Sequence, residues 1–356
     1  MSWDQDPAVL STVGQPIAAL LADGPPRQML DGFDPVYRDI VDYIVRCTHR
    51  IWEEKNVGLC RTHYSPDCQL HTLAGPAVGA EVVTQNTISA LTAYADRVVM
   101  AEDVIWSEDE AGTYYTSHRI MSRSTHFGDE AGIGPATMRG SGTTTIADCK
   151  VVANRIVEEW LVRDNLRALW QVGADPRALA LSQAEADRSG DQARHDWRTA
   201  MIKEVHGNPS VAVPTGHPAE LPAAMLKAAF VDDMYGSAAE VLSPAAEIHW
   251  PSNRRGFGRG YWTGCMMQLR AMLHDCRYRL QHIAARPLPH GDVAVALRWS
   301  IVGWHNGIGP WGEPSGRMIL LMAVSHFRLR EGAIVEDITV FDEVSALRQA
   351  AGGLGA

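Results

Sequence analysis

The sequence predicts an α+β protein built from two tandem copies of one unit, because three separate segments repeat in the same order. The clearest repeat reads IVEEWLVRDNLRALWQ at 156–171 and IVEDITVFDEVSALRQ at 334–349, an offset of 178 residues. A repeat that keeps order and spacing over whole domains indicates duplication. In each copy helical patterns come first and strand patterns follow, which is typical of the α+β class. The other repeated pairs are 64–71 with 242–249 and 118–128 with 297–307.

Both copies of the main repeat read as a strand that runs directly into a helix, with an aspartate at the junction. An apolar, β-branched start with period-two alternation predicts the strand, and helical spacing follows the aspartate. One strand face then carries two acids separated by two large apolar residues, an arrangement that suits the inner wall of a pocket. That face holds Glu158, Trp160, Val162 and Asp164 in the first copy, and Glu336, Ile338, Val340 and Asp342 in the second.

The remaining elements of the first copy follow in order. Residues 1–30 are expected to be an N-terminal extension, and a helix is expected from Asp34, where Pro35 suits the first turn. Residues 64–67 predict a turn before a short strand that ends near His71. A second helix is expected over 82–95, and strands over 98–106, 113–124 and 143–153.

The second copy follows a polar helical stretch and a linker. Residues 174–205 have helical spacing, and residues 206–222 are rich in Gly, Pro and small residues, as linkers are. A helix over 223–242 then opens the second copy. The predicted organisation is therefore an extension (1–30), a first domain (31–173), a helix and linker (174–222) and a second domain (223–356).

Composition excludes several classes of protein. The 356 residues are 46% hydrophobic and 21% charged, with a net charge of −10, which disfavours a nucleic-acid partner. No apolar run reaches the roughly 20 residues that span a bilayer, and the N-terminus has no export signal. The six cysteines follow no disulfide or metal-binding framework, so we expect reduced thiols in a cytoplasmic protein.

The order of these motifs resembles the SnoaL-like polyketide cyclases of the nuclear-transport-factor-two-like superfamily. The residues that carry the resemblance are YSPD at 64–67, the terminal strand-to-helix repeat, GIGPWGEPSGR at 307–317 and FRLREGAIVED at 327–337. The resemblance covers about 31–173 and 223–351. It implies two cone-shaped domains, each a curved antiparallel sheet with covering helices (a cystatin-like α+β barrel). The superfamily hosts cyclases, isomerases, dehydratases, epoxide hydrolases and binding domains, so the fold alone does not determine the activity.

In this family the sheets pair face to face in a homodimer, so the resemblance implies that the two domains pack as an intrachain pseudo-dimer. Such a sheet exposes a large apolar face when it is alone, and duplication supplies a covering partner. Strands such as 318–329 alternate poorly, as expected when both faces are covered. Further self-association stays open.

The resemblance places an acid/base role on Asp164 and Asp342. The chemistry requires a group that removes a proton α to a carbonyl and returns one to the alkoxide, and desolvation beside Trp160 or Val340 would raise the pKa of an aspartate toward that task. The alternative is structural, since Asp at a helix start is a preferred N-cap.

Other repeated polar and aromatic residues are candidates for substrate contacts. His71 and His249 end the first strand of each copy, where they are candidate second acid/base groups or satisfied structural histidines. An epoxide hydrolase of this superfamily would need an Asp-Arg-Asp cluster with an acid two residues after the arginine. Met121 and Ser300 stand two residues after Arg119 and Arg298, which disfavours that activity. No histidine spacing suits a metal. The candidate substrate-binding residues are Trp160, Arg119, Arg298, Trp299 and Trp311, the last as a loop gate.

These observations predict an enzyme that acts without a cofactor on a small, carbonyl-containing hydrophobic or polycyclic substrate, by aspartate proton abstraction. Cyclisation, isomerisation and elimination stay open as outcomes. The alternative is a protein of the same fold that binds a small molecule without chemistry. Neither nucleic acid nor a membrane is expected as a partner.

Overall fold

A computed structural model describes residues 12–130, 132–188 and 192–353. The first part of the expected extension, residues 1–11, lies outside the described residues. The chain separates into two compact units. Unit 1 contains the chain up to Thr72, Pro76–Arg163 and Ala168–Ala174; unit 2 contains Leu73–Gly75, Asp164–Arg167 and the chain from Asp175 onward.

Unit 1 places helices before and around a six-stranded sheet with the order β2-β1-β6-β5-β4-β3. Strands β1 and β6 are parallel, and all other neighbours are antiparallel, so the sheet is mixed. The elements are α1 (Ile17–Leu20), α2 (Ile40–Trp52), α3 (Leu59–His63), β1 (Tyr64–His71), β2 (Ala77–Val78), α4 (Ala80–Ala93), β3 (Val98–Glu110), β4 (Thr113–Thr125), β5 (Gly140–Val152) and β6 (Arg155–Arg163).

Helix α5 (Asn165–Val172) follows β6, and the helical region between the repeats divides into α6 (Pro176–Arg188) and α7 (Gln192–Gly207). Unit 2 then repeats the order of unit 1, with the sheet β8-β7-β12-β11-β10-β9. Its elements are α8 (Glu220–Phe230), α9 (Tyr235–Ala239), β7 (Leu242–Trp250), β8 (Arg254–Phe257), α10 (Gly258–Met272), β9 (Leu273–Pro287), β10 (Val293–His305), β11 (Met318–Arg330), β12 (Ala333–Phe341) and α11 (Glu343–Ala350).

The two sheets share irregularities as well as strand order. A bulge in β3 shifts the register between Ala101 and Asp103, and β9 has the same shift between Leu280 and His282. The strands β6 and β12 each carry a bulge, at Val157 and Val335. Bulges are specific local features, so their recurrence at equivalent positions supports duplication. The predicted α+β class with two like units is confirmed, with open mixed sheets in place of closed antiparallel ones.

The core of unit 1 defines which face of its sheet the helices cover. Helix α2 begins after Asp39, whose carboxylate accepts a hydrogen bond from Asp42 N (2.7 Å) as an N-cap. Side chains of α2 and α4 pack with alternate residues of the strands, which we call the helix-covered face. The members of this cluster on the strands include Cys68, Leu70, Val104, Trp106, Tyr114, Ala147, Cys149 and Ile156.

Three predicted boundaries were wrong. The turn expected at 64–67 is the start of β1, because Tyr64 pairs with Ile156. Helix α2 begins at Ile40, since Asp34 accepts from Val36 N in a turn instead (3.1 Å). The helix expected over 223–242 ends at Phe230, and Asp233 adopts a positive φ of 53° before α9. In the described part of the chain, every helix falls short of the length and apolar character that a bilayer crossing requires.

Candidate functional site

Asp342 is the N-cap of α11. Its Oδ1 accepts hydrogen bonds from Val344 N (2.9 Å) and Ser345 N (3.2 Å), and its Oδ2 accepts one from Asn165 Nδ2 (2.9 Å). The bonds from Val344 N and Ser345 N satisfy backbone donors that a helix start leaves unpaired. The observed contacts are those of the cap alternative, and an acid/base role for Asp342 stays a prediction.

Asp164 is the equivalent residue of the first repeat, and the structure places it in unit 2. Its Oδ1 accepts a hydrogen bond from Ser252 N (2.9 Å). Burial raises the pKa of the Asp164 carboxyl; the Ser252 backbone bond opposes this shift, and the nearby Glu343 adds to it. A raised pKa suits proton transfer as well as a buried cap. The predicted catalytic role therefore also stays a prediction.

His71 and Trp160 do come together, and Glu158 joins them. The His71 and Trp160 rings stack with centroids 5.2 Å apart, and His71 Nε2 lies 2.8 Å from Glu158 Oε1. However, Trp160 pairs with Asp148. The next residue of that strand, Cys149, faces the helices, so Asp148 and Trp160 lie on the opposite face of the sheet. The prediction that the Glu158 and Trp160 face forms the inner wall was wrong.

The bulge in β6 explains that error. Ile156 pairs with Val151, Val157 is extra, and Glu158 pairs with Lys150. Counting in twos from the buried Ile156 assigns Glu158 to the inner face, but one extra residue inverts the assignment. Ile156 and Glu159 consequently share the helix-covered face although they are three residues apart.

The other sequence candidates are dispersed. Arg119 Nε lies 3.2 Å from Glu102 Oε2, and His249 Nε2 lies 3.6 Å from Glu247 Oε2. Arg298 is buried in β10 opposite His282. These three residues lie on the face away from the helices.

Two tryptophans of unit 2 are also candidates from the sequence. Trp299 is fully buried on the helix-covered face, where its Nε1 donates to Ser325 Oγ (2.9 Å). Trp311 is 4% exposed, and its Nε1 donates to Glu343 Oε1 (3.2 Å). Trp311 is thus anchored in unit 2, and its predicted role as a loop gate stays a prediction.

The helix-covered face of unit 1 carries a buried acid, Glu159, that the sequence candidates did not include. Three adjacent strands place Thr116, Cys149 and Glu159 in one row. Glu159 is 5% exposed, and burial raises the pKa of its carboxyl. Arg163 and a hydrogen bond from the Tyr64 hydroxyl oppose that shift. Glu159 is therefore a desolvated acid with a phenol partner.

His118 lies in the next row of the same face, with Ala147 and Leu161. Its side chain is 1% exposed, and burial lowers the pKa of the imidazole to about 3. The ring is consequently neutral at physiological pH, with one nitrogen as donor and the other as acceptor. Within the described residues, neither His118 Nε2 nor Thr116 Oγ1 has a hydrogen-bond partner.

Buried thiols surround the acid. Burial raises the pKa of the Cys47, Cys68 and Cys149 thiols, and the nearby Glu159 carboxylate adds to each shift. These thiols are therefore uncharged at neutral pH and behave as small apolar groups. Of the residues that the structure describes, no group of three or more His, Cys, Asp or Glu side chains is placed to hold a metal ion.

Unit 2 has Asp337 at the position of Glu159. Asp337 is fully buried, and burial raises the pKa of its carboxyl to about 7. Trp262 Nε1 donates to its Oδ2 (2.9 Å) and Thr339 Oγ1 to its Oδ1 (2.7 Å). Thr339 Oγ1 lies 2.7 Å from Ser325 Oγ, which accepts from Trp299. A continuous chain of hydrogen bonds thus joins two buried tryptophans through the acid.

Large side chains fill the region around Asp337, whereas smaller ones surround Glu159. By strand register, Cys149 corresponds to Phe327 and Ile120 to Trp299. Counted from the equivalent residues Gly79 and Gly258 at the helix starts, Val83 corresponds to Trp262. Trp262, Trp299 and Phe327 are among the largest fully buried side chains. Tyr64 in place of Leu242 is the exception, and its hydroxyl binds Glu159.

Exposure follows the same asymmetry. In unit 1, side chains that pack on the interior core are partly exposed, whereas their counterparts in unit 2 are closed off. The partly exposed residues are Trp52, Tyr64, Ala101 and Leu161; the counterparts are Phe230 (3% exposed), Leu242 (0%), Leu280 (3%) and Thr339 (2%). The core of unit 1 is therefore less enclosed at these four positions than that of unit 2. By the interior of unit 1 we mean the region between its helix-covered face and helices α2 and α4.

Sequence reasoning missed Glu159, His118 and Asp337. A signal existed for two of them, because each terminal strand has a second acid directly after the predicted one (Glu158-Glu159 and Glu336-Asp337). One acid of such a pair must face each side of the sheet. Only knowledge of the bulge identifies which one faces inward.

No protein-family model and no curated protein matches the chain. Solved structures match it over a length close to that of one unit. One is IdmH of Streptomyces antibioticus, provisionally assigned as a polyketide cyclase, with 22% identity over 37% of this chain and 97% of IdmH and a TM-score of 0.32. Another is a provisionally assigned SnoaL-like polyketide cyclase of Jannaschia sp. CCS1, with 16% identity over 39% of this chain and 98% of that chain and a TM-score of 0.32.

AclR of Streptomyces galilaeus, provisionally assigned as a hydroxylase, matches with 21% identity over 39% of this chain and 89% of AclR, at a TM-score of 0.33. Provisionally assigned cyclases recur among the further matches, all at low sequence identity. The solved structures to which the chain is similar thus carry the family description that the sequence motifs indicated.

Proposed function

We propose that the protein is an enzyme that acts by proton transfer on a small, uncharged, carbonyl-containing substrate in the interior of unit 1, without a cofactor. Glu159 is the proposed acid/base group. The observation that carries the proposal is a desolvated carboxyl group in a core that small and partly exposed side chains border. The carbonyl substrate class is the one that the sequence resemblance implies.

The proposed step is enolisation. The Glu159 carboxylate removes a proton from the carbon α to the carbonyl, an O–H bond forms on the carboxyl, and the C–H electron pair moves toward the carbonyl oxygen. The protonated Glu159 then returns a proton to carbon or oxygen. A carboxylate in water is too weak a base for this step, and desolvation strengthens it. Positioned acid/base groups contribute about 10²- to 10⁴-fold to such reactions.

The proposal places the chemistry in unit 1 because the acid of unit 2 has larger and more enclosed side chains around it. Asp337 is 0% exposed. The side chains of Phe230, Leu242, Leu280 and Thr339 in the same unit are 0–3% exposed. Its oxygens are occupied by Trp262 and Thr339. In this proposal, unit 2 contributes stability and no chemistry.

The test uses acetophenone as the probe, because exchange of its methyl protons for deuterium reports enolisation directly. We expect the wild type to accelerate exchange in deuterated buffer, followed by NMR, and Glu159→Gln to lower the enzymatic rate by about 100-fold or more. Asp337→Asn is the matched control, since it changes the equivalent acid of unit 2, and it should retain the rate. Exchange no faster than in buffer, or exchange that survives Glu159→Gln, would refute the proposal.

The same experiment compares the aspartates that the sequence indicated. Asp164→Asn and Asp342→Asn are expected to retain exchange if those carboxylates serve as caps, as the backbone bonds from Arg167 and Val344 indicate. Loss of exchange in either variant would move the acid/base role to that residue.

A second candidate function is binding without chemistry. The observation that favours it is the ring of uncharged thiols and apolar side chains around Glu159, which suits sequestration of an apolar ligand. This candidate predicts that acetophenone binds to the wild type while its methyl protons exchange only at the buffer rate.

A further inference from the structure

Thr116 and His118 are two buried polar residues of unit 1 that its fold does not explain. They are 0% and 1% exposed, and they alternate onto the helix-covered face together with Tyr114 of the core. Thr116 Oγ1 and His118 Nε2 have no hydrogen-bond partner within the described part of the chain. A buried polar group without a partner lowers the stability of the folded state. Two such groups, two residues apart on one strand, therefore form a specific and costly feature.

Unit 2 shows that the fold does not need them. The register places Val295 at the position of Thr116 and Leu297 at that of His118, in the same uninterrupted antiparallel strand pair. Both apolar residues are fully buried. The same sheet thus forms with apolar side chains at these positions, so packing alone gives no reason for a hydroxyl and an imidazole in unit 1.

We propose that Thr116 and His118 form a subsite for the oxygen atom of an uncharged ligand, a carbonyl or hydroxyl group, in the interior of unit 1. The imidazole is neutral, so it offers a hydrogen bond without the charge that an anionic ligand would need. Thr116 and Glu159 lie on either side of Cys149 in one row, so their Cα atoms are two strand spacings apart, about 10 Å. A ligand of the size of a substituted benzene ring bridges that distance.

The subsite deepens the proposed function and rests on it for one point, that the interior of unit 1 takes the substrate. A carbonyl oxygen held at His118 would carry the developing negative charge when the proton leaves for Glu159, and a preorganised donor stabilises that charge. Oxygen recognition itself does not require catalysis, so the subsite also suits a binding protein.

The test compares acetophenone with α-methylstyrene, in which a methylene group replaces the carbonyl oxygen at nearly the same shape. Dissociation constants are measured by calorimetry for the wild type and for Thr116→Val/His118→Leu, the residues that unit 2 carries. We expect the wild type to prefer the ketone, and the double variant to lose about tenfold of that preference while its affinity for the hydrocarbon is retained. Ile120→Val, on the same strand face, is the packing control and should keep the preference.

A second measurement reports on the folded protein without a ligand. Because the double variant removes unpaired polar groups, its midpoint of thermal unfolding should rise by about 2–4 °C. A fall in the midpoint would show that the pair has structural partners, and equal affinity of the wild type for the two probes would show that no oxygen is recognised. Either result, or no binding of the ketone, overturns the subsite. If Glu159→Gln leaves exchange unchanged while the ketone preference persists, the catalytic proposal fails and the subsite stands.

Discussion

Glu159 and Asp337 occupy the same position in their sheets. Each directly follows another acid, Glu158 in β6 and Glu336 in β12. Glu159 pairs with Cys149, and Asp337 pairs with Phe327. The acid at this position thus lies beside a small side chain in unit 1 and beside a large one in unit 2. We infer from this difference that the surroundings of the acid have diverged between the two copies.

Asp337 should make the stability of unit 2 depend on pH. Burial raises the pKa of its carboxyl from 3.8 to about 7, so the folded state holds a proton that the unfolded state has lost. The contribution is fully present below about pH 4 and is lost as the pH rises to 7, at up to about 1.4 kcal/mol per pH unit. Urea denaturation at pH 5 and pH 8 should therefore show a smaller difference for Asp337→Asn than for the wild type.

The neighbouring acid provides the control for that experiment. Glu336 pairs with Arg328 (3.3 Å) on the other face of the sheet and contributes least to the raised pKa of Asp337, so Glu336→Gln should keep most of the pH dependence of the wild type. A pH dependence that is identical in the wild type and in Asp337→Asn would show that Asp337 does not carry a raised pKa.

Filling unit 1 in the way that unit 2 is filled should block ligand binding. Val83 is the counterpart of Trp262, and it packs in the interior core. Val83→Trp is expected to weaken acetophenone binding by more than tenfold, at a stability cost of about 1–3 kcal/mol for overpacking. Calorimetry measures the affinity, and circular dichroism confirms that the variant is folded.

The residue before it gives a matched control. Val82 lies on the same helix but is 40% exposed, so Val82→Trp should leave the affinity unchanged. If Val83→Trp folds and binds acetophenone as tightly as Val82→Trp does, then the ligand does not occupy the interior of unit 1.

Position 342 separates the role of a cap from that of a base. Serine supplies an N-cap oxygen without a carboxylate, whereas alanine removes both. Asp342→Ala should lower the free energy of unfolding by about 1 kcal/mol, and Asp342→Ser by a few tenths of that amount. Chemical denaturation measures both. Equal stability of the alanine and serine variants would contradict the cap observed at Val344 N and Ser345 N.

A buried ion pair in unit 2 should show strong coupling. Arg348 donates to both carboxylate oxygens of Asp187, and the two side chains are 6% and 2% exposed. Arg348→Met should cost about 3–5 kcal/mol, because it removes the bidentate partner of a buried carboxylate, to which Arg194 lies at 3.3 Å. The double variant Asp187→Leu/Arg348→Met should recover much of that loss in urea denaturation. Additive effects of the two substitutions would contradict the coupling.

The sequence alone was sufficient to predict the duplication and the strand-to-helix ends, because long periodic repeats survive changes in individual side chains. It was not sufficient to predict which strand face the helices cover. Both faces of β6 carry apolar and acidic residues, and the extra residue Val157 inverts the alternation that Ile156 begins. A bulge leaves no signature in period-two counting, so Glu158 was predicted at the inner wall where Glu159 lies.

The difference between the units was likewise hidden in the sequence. Trp299 was a candidate for substrate contact in the second copy, whereas in the structure Trp262 and Trp299 are both fully buried in the core. Composition reports that tryptophans are present, and only packing reports whether they line a space or occupy it. His118 was passed over because a single histidine in a strand carries no pattern.

The central claim, that the interior of unit 1 and not that of unit 2 accepts the ligand, is tested most directly by a crystal structure with 4-bromoacetophenone. The anomalous signal of bromine locates the probe without assumptions about its orientation. The account predicts one peak between the strand row of Glu159 and helices α2 and α4, with the ketone oxygen within hydrogen-bond distance of His118 Nε2. A peak beside Asp337 in unit 2, or peaks on the protein surface alone, would contradict it.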